Sequence, residues 1–221
     1  MIYYLSLFIT LIITLSAQGY INSTDKKTKK IESSSNMSGY ATARKILDSN
    51  GLNNVQVMEV SGTLTDHYDP KTKTVRLSTD IYKNSSLASI AVAAHECGHA
   101  LQDKNNYLFL RIRSTIVPLV NLVSRIGYII IVISLFASLT KLLWIGIMAE
   151  LVILLFQVIT LPVEFNASDR ALKQIEELNV VTRDEKKNCR KMLNAAALTY
   201  VANVAVGIIE ILRLISYTRR N

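Results

Sequence analysis

Four apolar segments divide the chain, and polar segments separate them. They cover residues 2–17, 116–139, 142–163 and 195–215. A helix needs about 20 residues to cross the ~30 Å hydrocarbon core of a bilayer. The third segment meets this length, the second meets it if it begins near Val117, and the first is marginal. The fourth contains Asn203, Glu210 and Arg213, so it is either a transmembrane helix or a buried or interfacial one.

The polar segments predict a mostly helical α+β domain. Residues 40–50 have the apolar spacing of a helix that stops at Asn50-Gly51. Residues 55–60 and 74–77 have the composition of strands, and the sequence Asp-His-Tyr-Asp-Pro at 66–70 has that of a turn. The second strand is either an edge strand on which a peptide can lie extended, or a purely structural strand.

Two further helices are predicted in the polar segments. Ser85 and Ser86 can cap a helix over residues 87–102. Residues 166–194 are helical with a break near Asn179, after which Thr182-Arg-Asp-Glu has the spacing of a capping box.

Composition and charge narrow the class of protein. The chain has 221 residues, half of them hydrophobic, a net charge of +8 and two cysteines. These values exclude a disordered chain and a disulfide-built scaffold. A mean hydropathy of +0.26 beside 19% charged residues indicates an integral membrane protein with a water-facing domain. The basic residues follow the flanks of the apolar segments, which favours a lipid bilayer as partner and no nucleic acid.

The distribution of basic residues also predicts topology. Residues 21–125 contain 14 of the 25 Lys and Arg residues and 164–195 contain seven, whereas only Lys141 lies between the second and third apolar segments. Positive residues stay in the cytoplasm, so both polar regions are predicted to face it. A secretory signal carries its charges before the apolar run. Here Lys26 and its neighbours follow that run, so we predict a retained anchor.

The predicted organisation therefore has five parts. They are an N-terminal transmembrane anchor (1–20), a domain with the 87–102 helix (21–115), a transmembrane hairpin (116–163), a helical part of the same water-facing domain (164–195) and an apolar C-terminal helix (196–221).

The helix over 87–102 contains His95-Glu96-Cys97-Gly98-His99. Residues four apart lie on one helical face, so both imidazoles can reach one metal ion. Zinc suits two imidazoles with positions left open for water and substrate. Glu96 can then meet a metal-bound water without being a ligand, and take its proton. The alternative is that both histidines are structural and only hydrogen-bonded. Cys97 is predicted to be a small apolar residue.

A catalytic zinc site needs a third protein ligand. In the extended motif the third ligand is a histidine at position 105, but this residue is Asn105. The remaining option is a carboxylate further along the chain, which is the arrangement called gluzincin. The candidates are Glu150, Glu164, Asp169, Glu176, Glu177, Glu185 and Glu210. Glu164 is the best placed, because it follows Pro162-Val163 at the end of the hairpin and so returns to the side of His95 and His99. Glu150 lies within the third apolar segment, so a polar contact inside the helix bundle is a better interpretation of it than a ligand role.

Four stretches of the chain resemble a known family. They are SGTLTDHYDP, LASIAVAAHECGHALQ, LPVEFNASDRAL and LNAAALTYVA, and together they extend over most of the chain. They resemble the YugP-type neutral zinc metallopeptidases, bacterial membrane proteins that are distantly similar to the HtpX-type and CAAX prenyl endopeptidases. The resemblance implies a zincin-like integral membrane endopeptidase that acts on peptide bonds. It also implies one Zn²⁺ per chain held by His95, His99 and Glu164, with Glu96 as general base.

The resemblance leaves the surroundings of the metal open. HtpX-type proteins have Glu-x-x-Ala-Asp around the third ligand, whereas Ser168 follows Ala167 here and the acid is displaced to Asp169. Either Ser168 or Asp169 could hold a ligand imidazole. His67 could steady an oxyanion, or it could be a plain turn residue.

The sequence is consistent with two functions. One is a multi-pass peptidase of the inner or plasma membrane with a cytoplasmic active site, whose polypeptide substrates lie in or beside the membrane. The other is a non-catalytic membrane scaffold or binding module with a structural zinc site. Glu96 separates them, because a structural site has no use for a carboxylate beside the water position.

Overall fold

The computed structural model describes residues 2–219 and is mostly helical with one small sheet. Met1 of the predicted anchor, and Arg220 and Asn221 of the predicted C-terminal helix, lie outside the described residues. The elements are α1 Ile2–Lys29, α2 Gly39–Ser49, β1 Gln56–Val60, β2 His67–Asp69, β3 Thr74–Ser78, α3 Thr79–Lys83, α4 Leu87–Lys104, α5 Leu108–Phe136, α6 Thr140–Glu177 and α7 Arg183–Thr218. The predicted fold class, a mostly helical α+β membrane protein, is confirmed.

The chain forms two compact units. The polar unit consists of Gly19–Leu110 and Val163–Ala197, and the apolar unit of the residues up to Gln18, Arg111–Pro162 and the residues from Leu198 onward. Among the described residues, four helices are long and apolar enough to span a membrane, namely Tyr4–Lys29 in α1, and α5, α6 and α7. The fourth apolar segment therefore belongs to a helix of sufficient length and hydropathy. The boundaries of the five predicted parts stay predictions.

The sheet of the polar unit has the order β1-β3-β2. β3 pairs in parallel with β1 and antiparallel with β2, and four of its five residues are buried. Of the two alternatives for 74–77, the edge strand is therefore wrong, because both sides of β3 are already paired, and the structural strand remains. The turn predicted at 66–70 is also wrong in its middle. His67–Asp69 forms β2, and the Asp66 carboxylate holds its start by accepting a hydrogen bond of 2.7 Å from the Ser78 N–H.

Helix α4 lies at the centre of the polar unit. The Ser86 hydroxyl caps it by accepting a hydrogen bond from the Ser89 N–H at 3.2 Å, as predicted. Its many alanines, together with Cys97 and Gly98, let other elements approach on most sides, and 14 of its 18 residues are buried. The apolar residues of α4, such as Ile90, share one core with Ile46 of α2, Leu77 of β3 and Ile175 of α6.

The junction between α6 and α7 also follows local sequence signals. Asn179 has a positive φ of 49°, which ends the helical path where a break is predicted. The Thr182 N–H donates to the Glu185 carboxylate at 2.7 Å and the Glu185 N–H donates to the Thr182 hydroxyl at 3.3 Å. The predicted capping box is confirmed.

The apolar unit has a core of its own, formed by Ile131, Leu143, Ile147 and Leu214. Small residues let its helices approach closely: a Cβ added at Gly127 would lie 2.5 Å from Ala149 Cβ. Two charged residues of α7 in this unit are paired with each other, because the Arg213 guanidinium is bound to the Glu210 carboxylate.

Candidate metal centre

Three side chains of the polar unit converge on one point. His95 Nε2 lies 3.2 Å and His99 Nε2 3.7 Å from the same oxygen, Glu164 Oε2. The histidines stand one turn apart on α4, and Glu164 comes from α6. Their ligand atoms all lie within 4.8 Å of one another, and among residues 2–219 these three make up the one such group of His, Cys, Asp or Glu side chains.

The donor set fits a zinc ion. Two imidazole nitrogens and one carboxylate oxygen are ligands that zinc takes at ~2.0–2.2 Å. At those bond lengths, two ligands of a tetrahedral ion stand about 3.3–3.6 Å apart. The two N···O distances bracket that interval closely. His99 and Glu164 are buried and His95 is nearly so, which keeps competing water away from the ligands.

Each imidazole is oriented through its other nitrogen. His95 Nδ1 lies 3.2 Å from the Ser168 hydroxyl, and His99 Nδ1 lies 3.0 Å from Gln102 Oε1. With both Nδ1 atoms engaged, both Nε2 atoms are directed to Glu164. Partners of this kind fix ring orientation in metal sites.

Glycine brings α4 and α6 close together at this centre. A Cβ added at Gly98 would lie 2.3 Å from the Ala167 carbonyl oxygen, and real Cβ contacts are essentially never shorter than 3.0 Å. Gly98 precedes His99, and Ala167 lies one turn after Glu164 on α6. The close approach therefore sets the distance between the imidazoles and the carboxylate.

Glu96 lies beside this group as a buried carboxyl. Burial raises the pKa of Glu96 to about 7, and the negative charges of Glu164 and Asp66 act in the same direction. The electrostatic interaction with His95 and a hydrogen bond from the Tyr68 backbone N–H lower the pKa of Glu96 and so oppose the rise. The Tyr68 N–H belongs to β2, so the strand that was predicted as a turn holds this carboxyl in place.

The remaining predicted residues are placed as follows. Ser168 is buried against His95, whereas Asp169 is exposed. His67 is exposed, and its Nδ1 lies 2.7 Å from the Thr65 carbonyl oxygen. His67 and the six other acids considered as third ligand all lie outside the group of three. Cys97 is a free, buried thiol, as expected of a small core residue.

Sequence reasoning missed two residues of this centre. Gln102 is completely buried and contacts His99. Its spacing of three residues after His99 is a signal that could have found it, because residues i and i+3 are neighbours on a helix. The Tyr68 N–H left no signal, since a backbone group carries no sequence information.

Helix α4 carries the HExxH motif, and a later helix adds a glutamate to its two histidines. Together with the four helices of the described part of the chain that are long and apolar enough to span a membrane, this is the arrangement of a gluzincin-type membrane metallopeptidase. Residues 3–219 match the family described as "Putative neutral zinc metallopeptidase", and the chain belongs to that family. It is 44% identical over 199 residues to the "Putative membrane protease YugP" of Bacillus subtilis (strain 168). The aligned region covers 90% of this chain and 88% of the relative. No solved structure matches the chain. The protein is thus a zinc metallopeptidase with helices long and apolar enough to span a membrane.

Proposed function

We propose that the protein is a membrane endopeptidase in which His95, His99 and Glu164 hold one zinc ion per chain and Glu96 is the general base. The observation that carries the proposal is the convergence of the two Nε2 atoms on Glu164 Oε2, at 3.2 and 3.7 Å. A buried carboxyl directly beside this group favours hydrolysis over a structural zinc site, which is closed by four protein ligands and has no use for a base.

The chain's own residues have distinct tasks in this proposal. A zinc ion in the centre supplies Lewis acidity, which polarises the scissile carbonyl and makes a water molecule a better nucleophile near neutral pH. Glu96 accepts the proton of the attacking water and passes it to the departing amine. Ser168 and the Tyr68 N–H hold His95 and Glu96 in position for these steps. The carboxylate of Glu164 balances positive charge at the centre.

The location of the reaction follows from charge and hydropathy. We place the protein as a multi-pass protein in the cell membrane, with the polar unit in the cytoplasm, because basic residues dominate 21–125 and 164–195. Its substrates are polypeptides that lie in or beside the bilayer. Reversal of this topology in a cysteine-labelling experiment would refute the cytoplasmic placement without affecting the chemistry.

Substitution of the base tests the proposed reaction. Glu96→Gln keeps the size of the side chain and leaves the three ligands intact, so we expect wild-type zinc content. The measured activity is the chelator-sensitive hydrolysis of casein. Its rate should fall by at least about 100-fold, the usual contribution of a general base. Glu177→Gln removes an exposed carboxyl of α6 and serves as the matched control. Wild-type cleavage by Glu96→Gln would refute the enzymatic role and leave the structural zinc site.

A further inference from the structure

We infer that Gln102 is a positioning residue of the metal centre: its amide orients His99 for binding through Nε2 and ties it to the backbone beside Glu164. The inference rests on the proposed function, because it concerns the same centre. Gln102 is fully buried on α4. Its Oε1 lies 3.0 Å from His99 Nδ1, and its Nε2 lies 2.7 Å from the Val163 carbonyl oxygen and 3.1 Å from Asn166 Oδ1.

Its neighbours determine which way the Gln102 amide faces. A backbone carbonyl only accepts hydrogen bonds, so the atom that contacts Val163 must be the NH₂ group. Asn166 gives the same result independently. Arg170 Nε, which only donates, lies 2.7 Å from Asn166 Oδ1, so the same Asn166 oxygen faces Gln102. A flipped Gln102 would press its oxygen against two acceptors. The oxygen of Gln102 therefore faces His99.

This orientation selects one tautomer of His99. Because Gln102 Oε1 only accepts, Nδ1 of the neutral imidazole must carry the hydrogen, and the lone pair is left on Nε2. Nε2 is the atom that lies 3.7 Å from Glu164 Oε2. The nitrogen that faces the centre is thus the one that can bind a metal ion.

The same amide also links the two helices that carry the ligands. Val163 directly precedes Glu164, so the hydrogen bond from Gln102 to the Val163 carbonyl holds α6 next to its ligand residue. Ser168 contacts His95 in a comparable place, but a hydroxyl can donate or accept and does not select a tautomer. Gln102 therefore has a task that Ser168 cannot perform.

Zinc affinity tests this inference directly. Wild-type protein, Gln102→Met and the control Thr42→Val are purified in detergent, stripped of metal and titrated with zinc against a chromophoric chelator. Methionine nearly matches the length of glutamine but has no amide. Thr42 is equally buried in the polar unit, and among the described residues its hydroxyl has no hydrogen-bond partner.

We expect the zinc Kd of Gln102→Met to rise about 10–100-fold, as is usual when a partner of a metal ligand is lost. Thr42→Val should lose no affinity. A Gln102→Met affinity within about twofold of wild type, or a loss in Thr42→Val equal to that in Gln102→Met, would overturn the inference. If Gln102→Met fails to fold, as judged by circular dichroism and melting of the metal-free protein, Gln102→Asn replaces it, because its amide is one methylene too short to reach His99.

The result separates this inference from the proposed function. If His99→Asn binds zinc as tightly as wild type, the proposed centre itself is wrong, and the role of Gln102 falls with it. If His99→Asn loses zinc while Gln102→Met does not, only the inference is overturned.

Discussion

Gly98 offers a sharp test of how the two ligand-bearing helices are spaced. In Gly98→Ala the new Cβ would lie 2.3 Å from the Ala167 carbonyl oxygen and 3.1 Å from Ala167 Cα, both backbone atoms that cannot turn aside. To reach even 3.0 Å, α4 and α6 must separate by about 0.7 Å. Metal–ligand distances tolerate only about ±0.2 Å. The separation therefore exceeds what the centre formed by His95, His99 and Glu164 can absorb.

The expected result is a loss of zinc together with a loss of stability. We expect the zinc Kd of Gly98→Ala to rise at least about 10-fold and the free energy of unfolding to fall by about 1–3 kcal/mol, the usual cost of overpacking. Chelator competition measures the Kd, and thermal melting of the metal-free protein measures stability.

Two other glycines of the polar unit provide controls. A Cβ at Gly39 would meet the Ile81 carbonyl oxygen at 2.1 Å, so Gly39→Ala introduces a comparable clash between α2 and α3. That variant should lose stability yet keep its zinc affinity. A Cβ at Gly19 would have nothing within 4 Å, so Gly19→Ala should keep the zinc affinity and lose no stability. Wild-type zinc affinity in Gly98→Ala, or equal loss in Gly39→Ala, would refute the idea that this contact sets the ligand spacing.

Two further substitutions test the orientation of His95 and the edge of the sheet. Ser168→Ala removes the hydroxyl that lies 3.2 Å from His95 Nδ1 and should weaken zinc binding by about 10-fold in the same titration. Asp169 is exposed, so Asp169→Ala should leave zinc binding unchanged. If Asp169→Ala weakens binding and Ser168→Ala does not, the role belongs to Asp169. Hydrogen bonds from Thr72, Lys71 and Arg76 lower the pKa of Asp69 from 3.8 to about 2, so its ionised form stabilises the fold above pH ~4 and this contribution is lost as the pH falls towards 2. Asp69→Asn should therefore lower stability by about 1 kcal/mol at pH 7 and by clearly less at pH 2. An equal loss at both pH values would contradict this.

Local signals predicted much of this fold because they act over one or two helical turns. The cap at Ser86, the break at Asn179 and the capping box at Thr182 each depend on neighbours within four residues, and each is where the sequence indicates. The strand β2 could not be predicted in this way. Asp and Pro favour a turn locally, but pairing with Thr74–Arg76 of β3 holds His67–Asp69 extended.

The extent of the first helix was also missed. The apolar run ends near Ala17, yet α1 continues to Lys29. A salt bridge of 3.1 Å joins Lys29 to Asp25 one helical turn earlier and stabilises the polar end of this helix. Hydropathy alone marks where an apolar segment stops, but not where its helix ends.

The candidate site shows the same division between local and long-range information. His95, Glu96 and His99 are visible as a spacing on one helix. The choice of Glu164 among seven acids needed the path of the chain and a family resemblance, because the acid is distant in sequence. The contact of Gly98 with Ala167 depends on how α4 and α6 pack, so it could not be predicted from either helix alone.

The most direct test of the account is the zinc content of the purified protein. Elemental analysis in detergent should find one zinc per chain in wild type and in Glu150→Gln, whose carboxyl lies in the apolar unit outside the group of three. Glu164→Gln should contain almost none, since a neutral amide replaces the carboxylate on which both imidazoles converge. A Glu164→Gln protein that keeps a full complement of zinc would contradict the central claim.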